Sequence, residues 1–284
     1  MKRIVSIQDI SDIGKCSLTV ALPVISAMGV ECAVLPTAVL SAHSQFEGFR
    51  FHDLTDEMQP AAEHWKELGI GFDAIYTGYL GSYRQVDIVS GFFRDFGSGA
   101  KIIVDPAMAD NGVLYAGFDA GFPGKMAELC RGADLILPNV TEACFMLGEE
   151  YREEYDRAYI RGLLQGLAGL GAKKSAVTGV SFDKDKLGVV AYDSETGEYF
   201  SRFGERFPAI FHGTGDIFAS AVIGAIMNGL SVNDALSLAV DYTLECIRMT
   251  VKDPRHNWYG VNFEQAIPYL IKRLSAVSAE AAYL

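Results

Sequence analysis

The chain predicts an α/β fold: a three-layer α/β/α sandwich in which helices cover both faces of a central, mostly parallel sheet, with an antiparallel hairpin on one edge. Three observations carry this. Short apolar runs, continuous rather than alternating, are separated by longer stretches of helical periodicity, the pattern of a parallel sheet buried on both faces. One pair of strand-like runs is joined by a tight turn signal instead of a helix. No proline- or serine-rich linker, repeat or low-complexity tract divides the 284 residues, so one domain spanning 1–284 is expected.

In order, RIVSIQ (3–8) reads as the first strand and SLTVALPVISAMG (17–29) as the helix behind it. Further strands are expected at ECAVLPTAV (31–39), DAIYTG (73–78), AKIIVDP (100–106), ADLILPN (133–139) and KSAVTGV (174–180). Helical periodicity fills the intervals near 55–68, 83–96, 123–131, 141–147 and 155–170. LGVVAYDSETGEYFSRF (187–203) is the hairpin, turning at Ser194-Glu195-Thr196-Gly197. Two long helices, about 214–229 and 233–250, and a last one near 263–273 complete the chain.

Half of the residues are hydrophobic, so a full core can be buried. A formal net charge of −12 and the lack of any Lys/Arg cluster argue against nucleic acid or an anionic membrane as a partner. An anionic substrate would have to be held by backbone amides, a divalent metal and a few local cations. The five cysteines are scattered and never spaced as C-x-x-C, and read as reduced thiols. The apolar run after Met1 is broken by Asp9, too soon for a secretory signal, and no run reaches the roughly 20 apolar residues of a membrane span. A cytoplasmic protein is expected.

Ligands of such folds gather at the carboxyl ends of the parallel strands. The suspicious polar residues fall there: Asp9 after the first strand, Ser41 to Gln45 after the second, Gly78-Tyr79, Asp105, Asn139 and Thr178 after those that follow. Ile13-Gly14-Lys15-Cys16-Ser17 is rejected as a P-loop, since Asp9 stands at the leading glycine's position and Cys16 at that of the metal-binding hydroxyl. Gly166 to Gly171 inverts the dinucleotide spacing and follows a helix, and the histidines show no metal-ligand pairing.

The sharpest signal is FHGTGD (211–216), at the mouth of the apolar helix IFASAVIGAIMNGL. Its glycines permit positive φ and close approach of a ligand to the amides, while a helix start favours negative charge, so the turn reads as an anion hole. Asp216 then lies where an incoming hydroxyl would meet a phosphoryl group, and a carboxylate there can orient the alcohol and accept its proton. The plain alternative is that Thr214 or Asp216 only caps the helix.

GTGD before a helix of small apolar residues resembles the signature of the ribokinase superfamily. IVSIQDISDIGKCS, TAVLSAHSQFEG, YTGYLGS, VDPAMAD and LPNVTEA resemble its pyridoxal kinase branch, in order, from residue 3 to about 230. The resemblance implies a ribokinase-like fold and transfer of the ATP γ-phosphate to the 5′-hydroxymethyl group of a vitamin B6 vitamer. It also implies Mg²⁺, in many members a monovalent cation, and a homodimer. By the same resemblance Asp216 is the base, and Gly213, Thr214 and Gly215 form the anion hole. Asp105, Asn139, Glu142, Thr178 and Thr214 contact ATP, and Asp105, Asp110 and Glu142 lie at its metal. Asn139 with Glu142 is equally a capping box, and Thr178 equally a strand former. For the vitamer, the resemblance implies Tyr79 as a stacking platform, with His43, Ser44 and Gln45 at the ring; a core tyrosine and an ordinary polar loop are the alternatives. Phe207 to Phe211 could wall the adenine or pack in the core, and Tyr115 with its glycine-rich neighbours is expected as the lid.

One position departs from the family: Asp9 stands where a serine is usual. A carboxylate there would favour a cationic partner, hence pyridoxamine or the protonated pyridine. Hydroxymethylpyrimidine kinases share GTGD and also phosphorylate a hydroxymethyl group on an aromatic ring, so that activity stays open. So does a non-catalytic vitamer-binding protein on a kinase scaffold.

Overall fold

The computed structural model describes residues 1–208 and 211–282. Its elements are β1 (Arg3–Ser11), α1 (Leu18–Ala27), β2 (Glu31–Leu40), β3 (Phe51–Asp53), α2 (Thr55–Glu67), β4 (Ala74–Thr77), α3 (Tyr83–Phe96) and β5 (Lys101–Val104). Then come β6 (Ala109–Asp110), β7 (Val113–Leu114), α4 (Phe122–Cys130), β8 (Leu135–Ile136), α5 (Val140–Leu147), α6 (Arg157–Gly169) and β9 (Lys174–Asp183). The chain closes with β10 (Lys186–Asp193), β11 (Tyr199–Glu205), α7 (Thr214–Met227), α8 (Val232–Lys252) and α9 (Phe263–Ala282).

Nine strands form one sheet in the order β11-β10-β9-β8-β5-β4-β1-β2-β3. Pairing is parallel from β2 through β1, β4, β5 and β8 to β9, and antiparallel at both edges. Alternate side chains sort the two faces. Ile4, Tyr76, Ile103, Leu135 and Ala176 face α1, α7, α8 and α9. Val5, Ile75, Val104, Ile136 and Val177 face α2 to α6. This period of two between two apolar layers is why the central strands read as unbroken hydrophobic runs.

Helix α7 is buried on nearly every side, as its uninterrupted apolarity requires. Its small residues allow close packing: a Cβ at Gly224 would collide with the Met28 sulfur. Fully buried Val222 and Ile223 each contribute about 1.5–3 kcal/mol of burial. Helix starts follow local chemistry, with Ser82, Asp156 and Ser231 accepting from the backbone at α3, α6 and α8.

The expected hairpin is β10–β11, extended by antiparallel β9. Two expectations are corrected. Asp9 does not follow the first strand but lies inside it, because β1 runs on to Ser11. Gln8 opposes Pro36 and Ile10 opposes Val39, so Thr37 and Ala38 of β2 face the single residue Asp9 across a bulge. Thr178 is likewise within β9 rather than at its end. It is nonetheless where parallel pairing stops, bridging Asn139, after which Gly179 at φ 71° bends the strand into the hairpin. The edge strand β3 and the β6–β7 pair, both very short, have no counterpart in the apolar pattern. Among the described residues no helix is long and apolar enough to cross a membrane.

Candidate active site

At the carboxyl end of the sheet the start of α7 is held by two glycines with different duties. Gly213 is the N-cap in the left-handed region, φ 77°, and a Cβ there would run into the Lys15 carbonyl oxygen. Any other residue would meet both strain and a backbone atom. Gly215 is exposed, and a Cβ on it would meet nothing within 4 Å. The turn is therefore pressed against the loop after β1 on one side and open on the other. No side chain among the described residues caps α7, and the Thr214 hydroxyl instead donates to the Phe211 carbonyl at 3.2 Å. The first-turn amides of a helix have no intrahelical partner, so this open face presents N–H groups and the positive end of the helix dipole.

Asp216 sits in that first turn, partly exposed. Burial pushes its carboxyl up to about 6 against the Ser17 backbone N–H, which favours the ionised form, and the charge of Asp9 adds to the upward shift. Ser17 reaches it in a sparsely populated conformation, φ 51° and ψ −135°, and Lys15 two residues earlier also has φ 51°. Such strain persists only where surrounding contacts fix it. Here the Lys15 ammonium is 2.9 Å from Glu264, and Gly260 leaves room for the Lys15 side chain.

Beyond the turn lies an acidic floor. Asp105, just past β5, is buried, and its carboxyl is held well above the usual range by burial and then by the charges of Glu142 and Asp216. Asn139 and Glu142 form the capping box of α5. The Glu142 carboxylate accepts from the backbone N–H of Asn139 at 2.8 Å, Met108 at 3.1 Å and Ala109 at 3.4 Å. The Asn139 amide donates to the Ala109 carbonyl at 2.7 Å, so the pair also ties down the loop carrying Asp105 and Asp110. Asp110 is exposed at the mouth, with the Asn111 N–H on its carboxylate and the charges of Glu142 and His212 within reach. Thr178 adjoins Asn139, its N–H donating to the Pro138 carbonyl at 2.9 Å. Tyr115 follows β7, its N–H donating to the Met108 carbonyl at 2.8 Å, and burial and then the charges of Glu142, Asp110 and Asp105 push its hydroxyl up.

On the other side are the residues expected at a vitamer. Asp9 is 4% exposed and accepts from the Ser11 hydroxyl at 2.9 Å. The half-buried Tyr79 feels its charge, and burial, that charge and Asp53 push the phenol to about 12. His43 is buried. Its Nδ1 accepts from the Gln45 N–H at 3.2 Å, which leaves Nε2 to donate to the Tyr259 carbonyl at 3.1 Å. Both ring nitrogens are thus committed to the backbone of the chain, and the ring fills the space a Gly14 side chain would need. Ser44 and Gln45 are exposed and are not drawn in with His43; the chain turns there, with the Phe46 N–H on the His43 carbonyl.

The sequence reading missed the segment between α8 and α9. Trp258 and Tyr259 pack their rings against Phe46, and Trp258 also against His43 and His212. An aromatic pair beside Gly260 in an otherwise polar stretch was the available signal. Of Phe207 to Phe211, Ala209 and Ile210 lie outside the described residues, and Phe211 packs against the core. Two surface hollows, about 270 and 430 Å³, lie elsewhere, against β10–β11 with α8 and α9, and none of the residues above lines them. Among the described residues no three acidic, histidine or cysteine side chains form a metal cage by themselves.

The chain is similar to known proteins over most of its length. The family model described as phosphomethylpyrimidine kinase matches residues 21–259. The hydroxymethylpyrimidine/phosphomethylpyrimidine kinase of Mycobacterium tuberculosis is 25% identical over 250 residues, 87% of this chain and 88% of its own. The pyridoxal kinase of Arabidopsis thaliana is 25% identical over 65% of this chain and 61% of its own. Among solved structures, a candidate phosphomethylpyrimidine kinase of Bacteroides thetaiotaomicron, in a crystal form with pyridoxal, superposes with a TM-score of 0.90 at 40% identity, covering 95% of each chain. The pyridoxal kinase of Lactobacillus plantarum gives a TM-score of 0.89 at 28% identity over 96% of this chain and 97% of that one.

Proposed function

The chain belongs to the phosphomethylpyrimidine kinase family, and from that premise we propose that it transfers the γ-phosphate of ATP to the 5′-hydroxymethyl group of a vitamin B6 vitamer. One observation carries the reading: the helix start at 213–216 turns uncapped amides to open space while a carboxylate of raised pKa stands in the same turn. The acceptor hydroxyl would lie against Asp216, which orients it and takes its proton as the oxygen–phosphorus bond forms and the bond to the departing ADP breaks. The amides of residues 214–216 would hold the equatorial oxygens, on which charge concentrates.

The residues fit a magnesium ion as an auxiliary. Asp105 is crowded by the like charges of Glu142 and Asp216, with no cation among the described residues offsetting them, and carboxylate oxygens suit a hard ion that keeps water and phosphate oxygens as its other ligands. Asp105 and Asp110 would hold it, directly or through water, and Glu142 would act through the loop it anchors. The ion would supply neutralisation of the triphosphate charge. Asn139 and Thr178 would flank the nucleotide, and Tyr79 would lie against the acceptor ring.

A second reading has its own support. The matching family model and the mycobacterial relatives are named for hydroxymethylpyrimidine and its phosphate, and the hydroxymethyl group on a flat ring is common to both acceptors. ADP formation measured with pyridoxal, pyridoxamine, pyridoxine and hydroxymethylpyrimidine separates the readings. A vitamer used at least tenfold more efficiently than the pyrimidine supports ours, the reverse order supports the second, and tight binding without ADP formation would mean a binding protein on a kinase scaffold.

A further inference from the structure

Asp9 is a charge that the protein buries and does not balance. It is 4% exposed, on a strand paired on both sides, between β4 and β2. The Ser11 hydroxyl donates to it at 2.9 Å, the Ser17 hydroxyl and its own backbone N–H are the other groups that favour its ionised form, and no lysine, arginine or histidine among the described residues acts on it. The groups that do sense it are the Asp216 carboxylate, the Cys16 thiol and the Tyr79 phenol, of which the first is a like charge. A buried carboxylate without a cation is costly, and a second carboxylate nearby makes it costlier. A fold that only needed polarity here could use a hydroxyl.

The position also singles out a ligand. Across the bulge Asp9 faces Thr37, whose hydroxyl donates to the Tyr79 carbonyl at 3.1 Å, so the bulge is tied to the segment carrying the candidate ring platform, and the charge of Asp9 reaches both the Tyr79 phenol and the candidate base Asp216. Resting on the kinase reading above, we infer that Asp9 is a specificity-determining residue that favours an acceptor bearing a protonated aminomethyl group, pyridoxamine, over the aldehyde or alcohol at the same ring position. The ring nitrogen is common to all three vitamers and cannot rank them. The ammonium gives Asp9 a charge-assisted partner, whereas an aldehyde oxygen offers it only lone pairs. The expected preference is about 10- to 100-fold, the range of a hydrogen bond to a charged group.

The test compares kcat/KM for pyridoxamine, pyridoxal and pyridoxine in the native enzyme, Asp9→Asn and Asp9→Ser, with the melting temperature of each ligand-free protein. The native enzyme is expected to prefer pyridoxamine by that factor and both variants to lose the preference through pyridoxamine alone, while their melting temperatures hold or rise because an unbalanced charge has gone. An unchanged ranking, an equal loss for all three vitamers, or a melting temperature lowered by several degrees in both variants would overturn the inference. If no vitamer is turned over, the kinase reading fails separately. Calorimetric affinities for pyridoxamine and pyridoxal without ATP then decide on Asp9, the same loss of ratio in Asp9→Ser supporting it and an unchanged ratio refuting it.

Discussion

The two sides of the cleft treat their buried acids in opposite ways. Glu142 is enclosed by three backbone N–H donors, and its bonds hold together a helix start and the loop bearing Asp105. Asp9, almost as deeply buried, has hydroxyls and, among the described residues, no cation. The first acid is answered within the chain and serves architecture; the second, by our inference, awaits a cationic acceptor. Burial of a carboxylate therefore does not by itself mark function, and the donors around it separate the two cases.

Asp216, partway between these extremes, should show the largest effect. Asp216→Asn is expected to lower kcat by about 10²- to 10⁴-fold, the usual contribution of a positioned base, while ATP affinity measured by calorimetry changes little. Next comes Glu142→Gln, which places an amide before donors that need an acceptor and should destabilise the protein by about 2–3 kcal/mol in chemical denaturation. The same acid-to-amide change at Asp9 should not destabilise at all, so equal losses at the two positions would erase the contrast. Within the turn itself, Gly213→Ala meets positive φ and the Lys15 carbonyl and should cost about 1–3 kcal/mol of stability. Gly215→Ala should leave stability nearly untouched and weaken phosphate binding, read as a higher KM for ATP. The smallest effect concerns pH. With the Asp216 carboxyl at about 6 against 3.8 for the unfolded chain, kcat/KM should rise with pH through about 6, because the base must be ionised. The stability sign is the reverse: its contribution is complete below the unfolded value and lost as pH rises through about 6, a loss absent from Asp216→Asn.

The layered fold was legible because unbroken apolar strands and periodic helices have few other arrangements, and the GTGD turn because two glycines and an acid at a buried helix's mouth conflict with simple packing. What escaped depended on contacts far apart in sequence. Asp9 looked like a strand end, since an acid interrupts an apolar run, but a bulge in β2 carries the strand through it. Ser44 and Gln45 looked equivalent to His43, yet only His43 has Gly14 and the Tyr259 carbonyl to receive it. Trp258 belongs to the cleft's rim through its contacts with His43 and His212, residues more than 40 positions away. Asn139 and Glu142 were read as either cap or ligand, and the capping half of that pair is present in full.

The most direct test of the central claim is a crystal structure of the enzyme with ADP, Mg²⁺, a planar fluoride mimic of the phosphoryl group and pyridoxamine. The mimic is expected within hydrogen-bond reach, about 3 Å, of the N–H groups of Thr214, Gly215 and Asp216, with the acceptor hydroxyl on the Asp216 carboxylate. A mimic bound away from that turn, or an Asp216 directed away from the hydroxyl, would contradict it.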